Sequence, residues 1–266
     1  YDASKISFTG HSLGAGIASV MSVWFNRPAT VFADAPFEAV AHSASAMAAI
    51  TATLAAKSTP DADFAAYLID AAIPGTPTFF SRQEQVKNYF VQGEFLDLTR
   101  SGPSAVYGIT TPIAIGSPAL GVGEGAVGRA LALHSMNLHA ALLFDDRLRQ
   151  LITTIPTLMA TLLDQRLYAA DPNYATKDLI TALVNDQIRQ GFANDGALKR
   201  FTSDLLKLNG SSGMVAQPSV ERAVIAAAME YYYFKDPALA TQLFSTAGNG
   251  IHFNLRDSGA TASKAL

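Results

Sequence analysis

The run Gly10-His11-Ser12-Leu13-Gly14-Ala15-Gly16 constrains the fold more than any other part of this chain, because it sets G-x-S-x-G between a strand-like segment and a helix-like one. Upstream, Ser4-Lys5-Ile6-Ser7-Phe8-Thr9 alternates polar and apolar side chains, the period of a short strand. Downstream, Leu13 to Phe25 carries small residues first and larger apolar ones later, which suits a helix pressed closely on a sheet. The order is strand, sharp turn, helix. A serine hydroxyl is a weak nucleophile until a base takes its proton and backbone N–H groups await the oxyanion, and a turn with glycine two residues to either side holds Ser12 out for both. In a chain with 19 glycines the bare motif also reads as an ordinary glycine-rich turn, and it is the two flanks that select the nucleophile-bearing one.

On these residues, Lys5 to Phe37 resembles the nucleophile region of the α/β-hydrolases, and GHSLGAG is most similar to the lipases, including the class 3 type. The resemblance implies that the Leu13 N–H is one oxyanion donor and that a second comes from a loop after an early strand, far upstream. Only 11 residues precede Ser12. The expected fold is therefore α/β, a partial hydrolase-type sheet holding the late strands, with a helical insertion and a helical C-terminal subdomain. A start at Tyr1 reads as a fragment or processed segment, whose upstream part would cover the open sheet edge. The alternative is a homo-oligomer that covers this edge with a second copy. Such an arrangement also resembles lipase-like segments of large bacterial exported proteins, which implies a secreted setting.

A chain of 266 residues can bury a sizeable core as one large domain or two small ones. With 15% charged residues and a net charge of −3, it lacks the basic face that nucleic-acid binding needs. The absence of cysteine excludes disulfides, cysteine metal sites and thiol catalysis. The most membrane-like run, Ala39 to Ala56, is mostly Ala, Ser and Thr, and reads as a surface helix rather than a transmembrane segment. The five histidines are dispersed and no H-E-x-x-H or Asp-rich calcium loop occurs, so neither a metal nor another cofactor is expected. Gly123 to Gly128 formally matches G-x-G-x-x-G, but no strand leads into it and no βαβ unit surrounds it.

Along the chain, Ala29 to Ala33 reads as the strand after the elbow helix, ended by Asp34-Ala35-Pro36-Phe37. Glu38 to about Ile73 is helical in character with a break at Ser58-Thr59-Pro60, either a cap or a long crossover. Gln85 to Gln92 reads as a further strand, and Thr99 to Gly128 as a long loop. From Ala130 the pattern is helical: Leu131–Ile155, Pro156–Leu167, Thr176–Phe192, Gly196–Leu208 and Ser219–Phe234. Ile251 to Leu255 reads as a last strand before a tail from Asp257, and Tyr231 to Phe234 as packing. The expected organisation is a hydrolase-like part over 1–145 with a cap-like insertion at about 38–80, a helical subdomain over 146–250, and a terminal strand and tail over 251–266.

A serine hydrolase needs a base and a carboxylate that orients it, and in the hydrolase order the serine comes first, then the acid, then the histidine. His134, His139 and His252 follow the candidate acids, whereas His11 lies inside the elbow and His42 precedes the third strand. His134 and His139 are five residues apart, so on one helix they would point roughly 140° apart and could not both face one site. His134, at the end of the glycine-rich stretch with Ser135 able to cap a helix, is preferred as base, with His139 the alternative. Glu94, just past a strand end, resembles the strand-end acid of class 3 lipases, with Asp97 and Asp34 as alternatives. The implied activity is carboxylic-ester hydrolysis through an acyl-enzyme on Ser12, with an ester or lipid as substrate and lipid degradation as the setting. The competing reading is a non-catalytic helical binding or assembly module that retains a remnant of the hydrolase sheet.

Overall fold

The computed structural model describes residues 5–100, 108–116, 125–155, 158–163, 178–212, 244–247 and 250–253. The chain forms two compact units, Tyr1–Ala114 and Ile115–Leu266.

The first unit is built on a parallel sheet whose spatial order follows the chain: β1 (Phe8–His11), β2 (Ala29–Phe32), β3 (Val86–Val91) and β4 (Ile109–Ile113). The register places Gly10, Val31, Asn88 and Thr110 in one row. Alternation then separates the faces: Phe8, Ala29, Val31 and Val86 join the core of helix α1 (Leu13–Phe25), whereas Thr9, Thr30 and Lys87 are exposed. Among the described residues β1 and β4 are the sheet edges, and Pro112 in β4 sits where a missing N–H costs no ladder bond.

Between β2 and β3 run α2 (Glu38–Ala41), α3 (Ala44–Ala56), α4 (Ala62–Ala66), a π-helical turn over Tyr67–Ala71, and α5 (Pro77–Gln83). Ser43, Asp61 and Thr76 accept from the amides of Ala46, Phe64 and Phe79, the N-caps that start α3, α4 and α5. Helix α3 has no buried residue, in keeping with a surface helix. The rest of the connection packs on the C-terminal half of α1. Trp24 meets Phe64 edge-on at 5.8 Å, and the Trp24 indole and the Tyr67 hydroxyl both donate to the Ala41 carbonyl, at 3.1 and 2.8 Å. Burial pushes the Tyr67 phenol up to about 12. Arg82 donates to the Val23 and Trp24 carbonyls at 2.9 and 3.0 Å, putting a cation on the negative end of the α1 dipole. These contacts fix the helix that carries the elbow.

The stretch expected as one loop, Thr99 to Gly128, instead contains β4 and the end of a short helix, α6 (Asp97–Arg100). Ile109-Thr110-Thr111-Pro112-Ile113 is brief and carries a proline, so its strand character depends on β3 as a template rather than on its own pattern.

In the second unit are α7 (Ala126–Leu133), α8 (Met136–Phe144), α9 (Asp146–Thr154), α10 (Leu158–Leu163), α11 (Leu179–Gln190), α12 (Ala197–Ser212) and the antiparallel pair β5 (Phe244–Ala247) and β6 (Gly250–Phe253). The single helix expected over Leu131–Ile155 is three. Ser135 caps α8 through the Leu138 amide and Asp145 caps α9 through the Arg147 amide, and such local side-chain bonds compete with helix continuation. Leu138, Leu142, Leu148, Leu151 and Phe201 are fully buried. Asn137 donates to Thr181 at 2.8 Å, tying α8 to α11, and the Thr202 hydroxyl donates to Asp145, tying α12 to the α9 cap. The expected last strand overlaps β6, which lies in this hairpin and not in the parallel sheet. Ser219–Phe234, the Tyr231–Phe234 run and the tail from Asp257 lie outside the described residues. No described helix is long and apolar enough to cross a membrane.

Candidate active site

Ser12 joins β1 to α1 with φ 58° and ψ −126°, a backbone conformation that costs a non-glycine residue about 1–3 kcal/mol. Its surroundings hold it there. The Ser12 amide donates to the Phe32 carbonyl at 3.0 Å, and its own carbonyl accepts from Ala15, Gly16 and Ala35 at 3.0, 3.2 and 3.3 Å. A Cβ at Gly10 would lie 2.3 Å from the Gly14 carbonyl oxygen, so only glycine lets strand and helix approach this closely. Ser12 is half-buried, and the amides of Leu13 and Gly14, which open α1, have no acceptor within their own helix. A helix N-terminus presenting such amides favours negative charge beside the serine. Leu13 is 71% exposed and Ile17, one turn on, 60%.

Asp34 stands just past β2, two residues after Phe32. It is fully buried, its Oδ2 accepts the Ser19 hydroxyl at 2.9 Å, and its Oδ1 has no hydrogen-bond partner among the described residues. Burial pushes its carboxyl up to about 7, against the Ser19 hydrogen bond and the Arg100 charge, which both favour ionisation. The Asp34 amide lies 3.4 Å from Asn88 Oδ1, a long contact from the middle of β3.

Glu94 stands just past β3 and is also buried. Its Oε1 pairs with Arg100, and its Oε2 accepts the Leu96 amide at 2.9 Å. Asp97 is partly exposed, accepts the Gly93 amide at 2.7 Å and lies 4.0 Å from Arg100. The Arg100 guanidinium is stacked 4.3 Å over the Phe90 ring and donates to the Asp34 carbonyl at 3.2 Å. Three candidate acids from two strand ends thus meet around one arginine. Neither Arg100 nor the Asp34 partners Ser19 and Asn88 was picked out from the sequence. The spacing Glu94, Asp97, Arg100 and the position of Ser19 two helical turns after Ser12 were the signals that could have found them.

The candidate bases lie in the second unit. His134 is the C-cap of α7, half-buried at the corner where α7 hands over to the Ser135-capped α8, rather than at the end of an unstructured loop. His139 is fully buried in α8, with Nδ1 2.8 Å from the Ser135 carbonyl, the arrangement of an N–H donor to its own helix. His252 stands opposite Ser245 in the β5–β6 pair. In the first unit, His42 Nδ1 lies 2.8 Å from the Ala72 carbonyl and its ring packs on Phe79 at 4.3 Å. Among the described residues no cluster of His, Asp and Glu is placed to hold a metal ion.

No curated protein and no solved structure matches the chain. A family model does, over residues 2–138, a span that takes in the elbow, both strand-end acids and His134, and stops one residue short of His139. The model describes a Tle-like phospholipase domain, and by that match the chain belongs to the phospholipase-like family of lipase-type hydrolases.

Proposed function

We propose that the chain is a serine carboxylic-ester hydrolase that cleaves acyl esters of phospholipid or related apolar substrates through an acyl-enzyme on Ser12. The observation that carries the proposal is the backbone of Ser12, held at φ 58° between a parallel strand and a helix N-terminus. Ser12 Oγ attacks the ester carbonyl carbon while a ring nitrogen of His134 takes the hydroxyl proton. The Leu13 N–H stabilises the resulting oxyanion, and collapse expels the alcohol with the proton from His134. Water, deprotonated by His134, then releases the acid and restores Ser12. Glu94 orients the imidazole and stabilises its cation. Its burial supports this role, as does its fixed pose, with Oε1 paired to Arg100 and Oε2 accepting the Leu96 amide. His139 is fully buried with Nδ1 against the Ser135 carbonyl, and His134 is half-buried, which supports His134 as the base. Exposed Leu13 and Ile17 on the elbow helix support an apolar acyl group as the substrate part nearest Ser12.

One observation favours a second assignment of the acid. Asp34 Oδ1 is buried without a hydrogen-bond partner among the described residues, the acceptor that an imidazole N–H would complete. The test is hydrolysis of phosphatidylcholine vesicles and of a soluble short-chain ester by the full chain and by Ser12→Ala, His134→Ala, Glu94→Gln and Asp34→Asn. Loss of turnover by about 1000-fold or more is expected for the first three, with Asp34→Asn retaining activity. Loss with Asp34→Asn and not Glu94→Gln transfers the acid role. A folded wild-type chain that cleaves neither substrate leaves the non-catalytic binding module as the reading.

A further inference from the structure

We propose that Arg100 is a positioning residue that locks the Glu94 carboxylate to the loop supporting the Ser12 elbow. This rests on the reading of Glu94 as the orienting acid. Arg100 ends α6, yet only 7% of its side chain is exposed. Of the two terminal guanidinium nitrogens, Nη1 pairs with Glu94 Oε1 and Nη2 donates to the Asp34 carbonyl at 3.2 Å. From Asp34 the chain passes directly to Ala35, whose amide donates to the Ser12 carbonyl at 3.3 Å. Acid, guanidinium, loop and elbow are therefore joined through two side-chain bonds and one backbone bond. The guanidinium plane rests on Phe90, the penultimate residue of β3, which fixes the fork against the sheet.

A planar fork can hold a carboxylate and a carbonyl at once, and a lysine ammonium on its flexible stem cannot reproduce that geometry. Without the fork, the β2 and β3 ends can shift against each other. A displacement of about 1 Å in such a constellation costs on the order of 100-fold in rate. Among the described residues Arg100 contacts Glu94, Asp97, the Asp34 carbonyl and the Phe90 ring, so its effect on Ser12 passes through Glu94 and the Asp34–Ala35 loop.

The experiment is steady-state hydrolysis of a soluble short-chain ester by the full chain, with circular dichroism and thermal melting as controls for folding. The variants are Arg100→Gln, Arg100→Lys, Glu94→Gln and the Glu94→Gln/Arg100→Gln pair. The expected result is a fall of about 100-fold in kcat for Arg100→Gln with KM changed less than about threefold. Arg100→Lys should recover no more than about tenfold of that, and the double variant should match Glu94→Gln alone. Full recovery by lysine would reduce Arg100 to a neutralising charge and overturn the proposal. So would a double variant whose losses multiply, since Arg100 would then act independently of Glu94. Full activity of Glu94→Gln would overturn the acid assignment and the Arg100 role with it, whereas inactive Glu94→Gln beside unaffected Arg100→Gln would overturn the Arg100 role alone. If Arg100→Gln does not fold, Arg100→Lys carries the decision by its kcat and KM.

Discussion

Gly10 and Gly14 face each other so closely that a methyl group on the first would lie 2.3 Å from the carbonyl oxygen of the second. The contact is one-sided: a Cβ on Gly14 meets nothing within 4 Å. Gly10→Ala is therefore expected to force strand and helix apart, lowering stability by about 1–3 kcal/mol and turnover by at least tenfold. Gly14→Ala is expected to keep the fold and melt within a few degrees of the wild type. Thermal melting with ester turnover checks both, and equal effects of the two substitutions would contradict the asymmetry.

Asp34 makes stability depend on pH in an unusual direction. Its carboxyl is pushed up to about 7 by burial, from an ordinary value of 3.8. Between those values the unfolded chain loses the proton while the folded chain keeps it, so the contribution is complete below about pH 4 and is lost as pH rises to about 7. The slope is about 1.4 kcal/mol per pH unit at most. Asp34→Asn removes this titration and retains an oxygen for the Ser19 hydroxyl. The difference in melting temperature between variant and wild type should move in favour of the variant from pH 4 to pH 8. A difference independent of pH would contradict the buried, protonated carboxyl.

Arg82 holds the far end of the elbow helix. It donates to the Val23 and Trp24 carbonyls and to the Asp63 carbonyl at 2.9 Å. Arg82→Met is expected to leave these buried acceptors short of a donor, destabilising the fold by about 1–3 kcal/mol. Trp24 is the one tryptophan of the chain, so its emission reports this site during denaturant unfolding. An unchanged midpoint would show that the carbonyls find other donors.

The elbow was legible in the sequence because everything that defines it is local: a two-residue period, glycines at fixed offsets, and small residues leading the helix. Both strand-end acids were legible for the same reason, as carboxylates placed just after strands. What escaped was what the fold brings together across distance. Asp34 and Arg100 are separated by 66 residues, and nothing in either neighbourhood announces the other. Strand β4 was hidden because its hydrogen bonds come from β3 rather than from its own composition. The breaks in the expected helix over 131–155 were written in Ser135 and Asp145, but apolar periodicity runs through both and outweighs a capping residue when read alone.

Leu13 and Ile17 lie on one exposed stripe of the elbow helix, beside the serine that opens it. Ile17→Ser is expected to change stability by less than about 0.5 kcal/mol, because the side chain is surface-borne. On long-chain esters the same substitution should raise KM several-fold, and on a two-carbon ester it should not. Equal KM on both would remove Ile17 from the acyl path.

Whether Ser12 is the nucleophile is decided by peptide mapping with mass spectrometry after reaction of the folded chain with a fluorophosphonate. The adduct is expected on the peptide containing Ser12, in one copy per chain, and Ser12→Ala should fold, melt as the wild type does and remain unlabelled. An adduct on another serine, with Ser12→Ala still cleaving short-chain esters, would contradict the account.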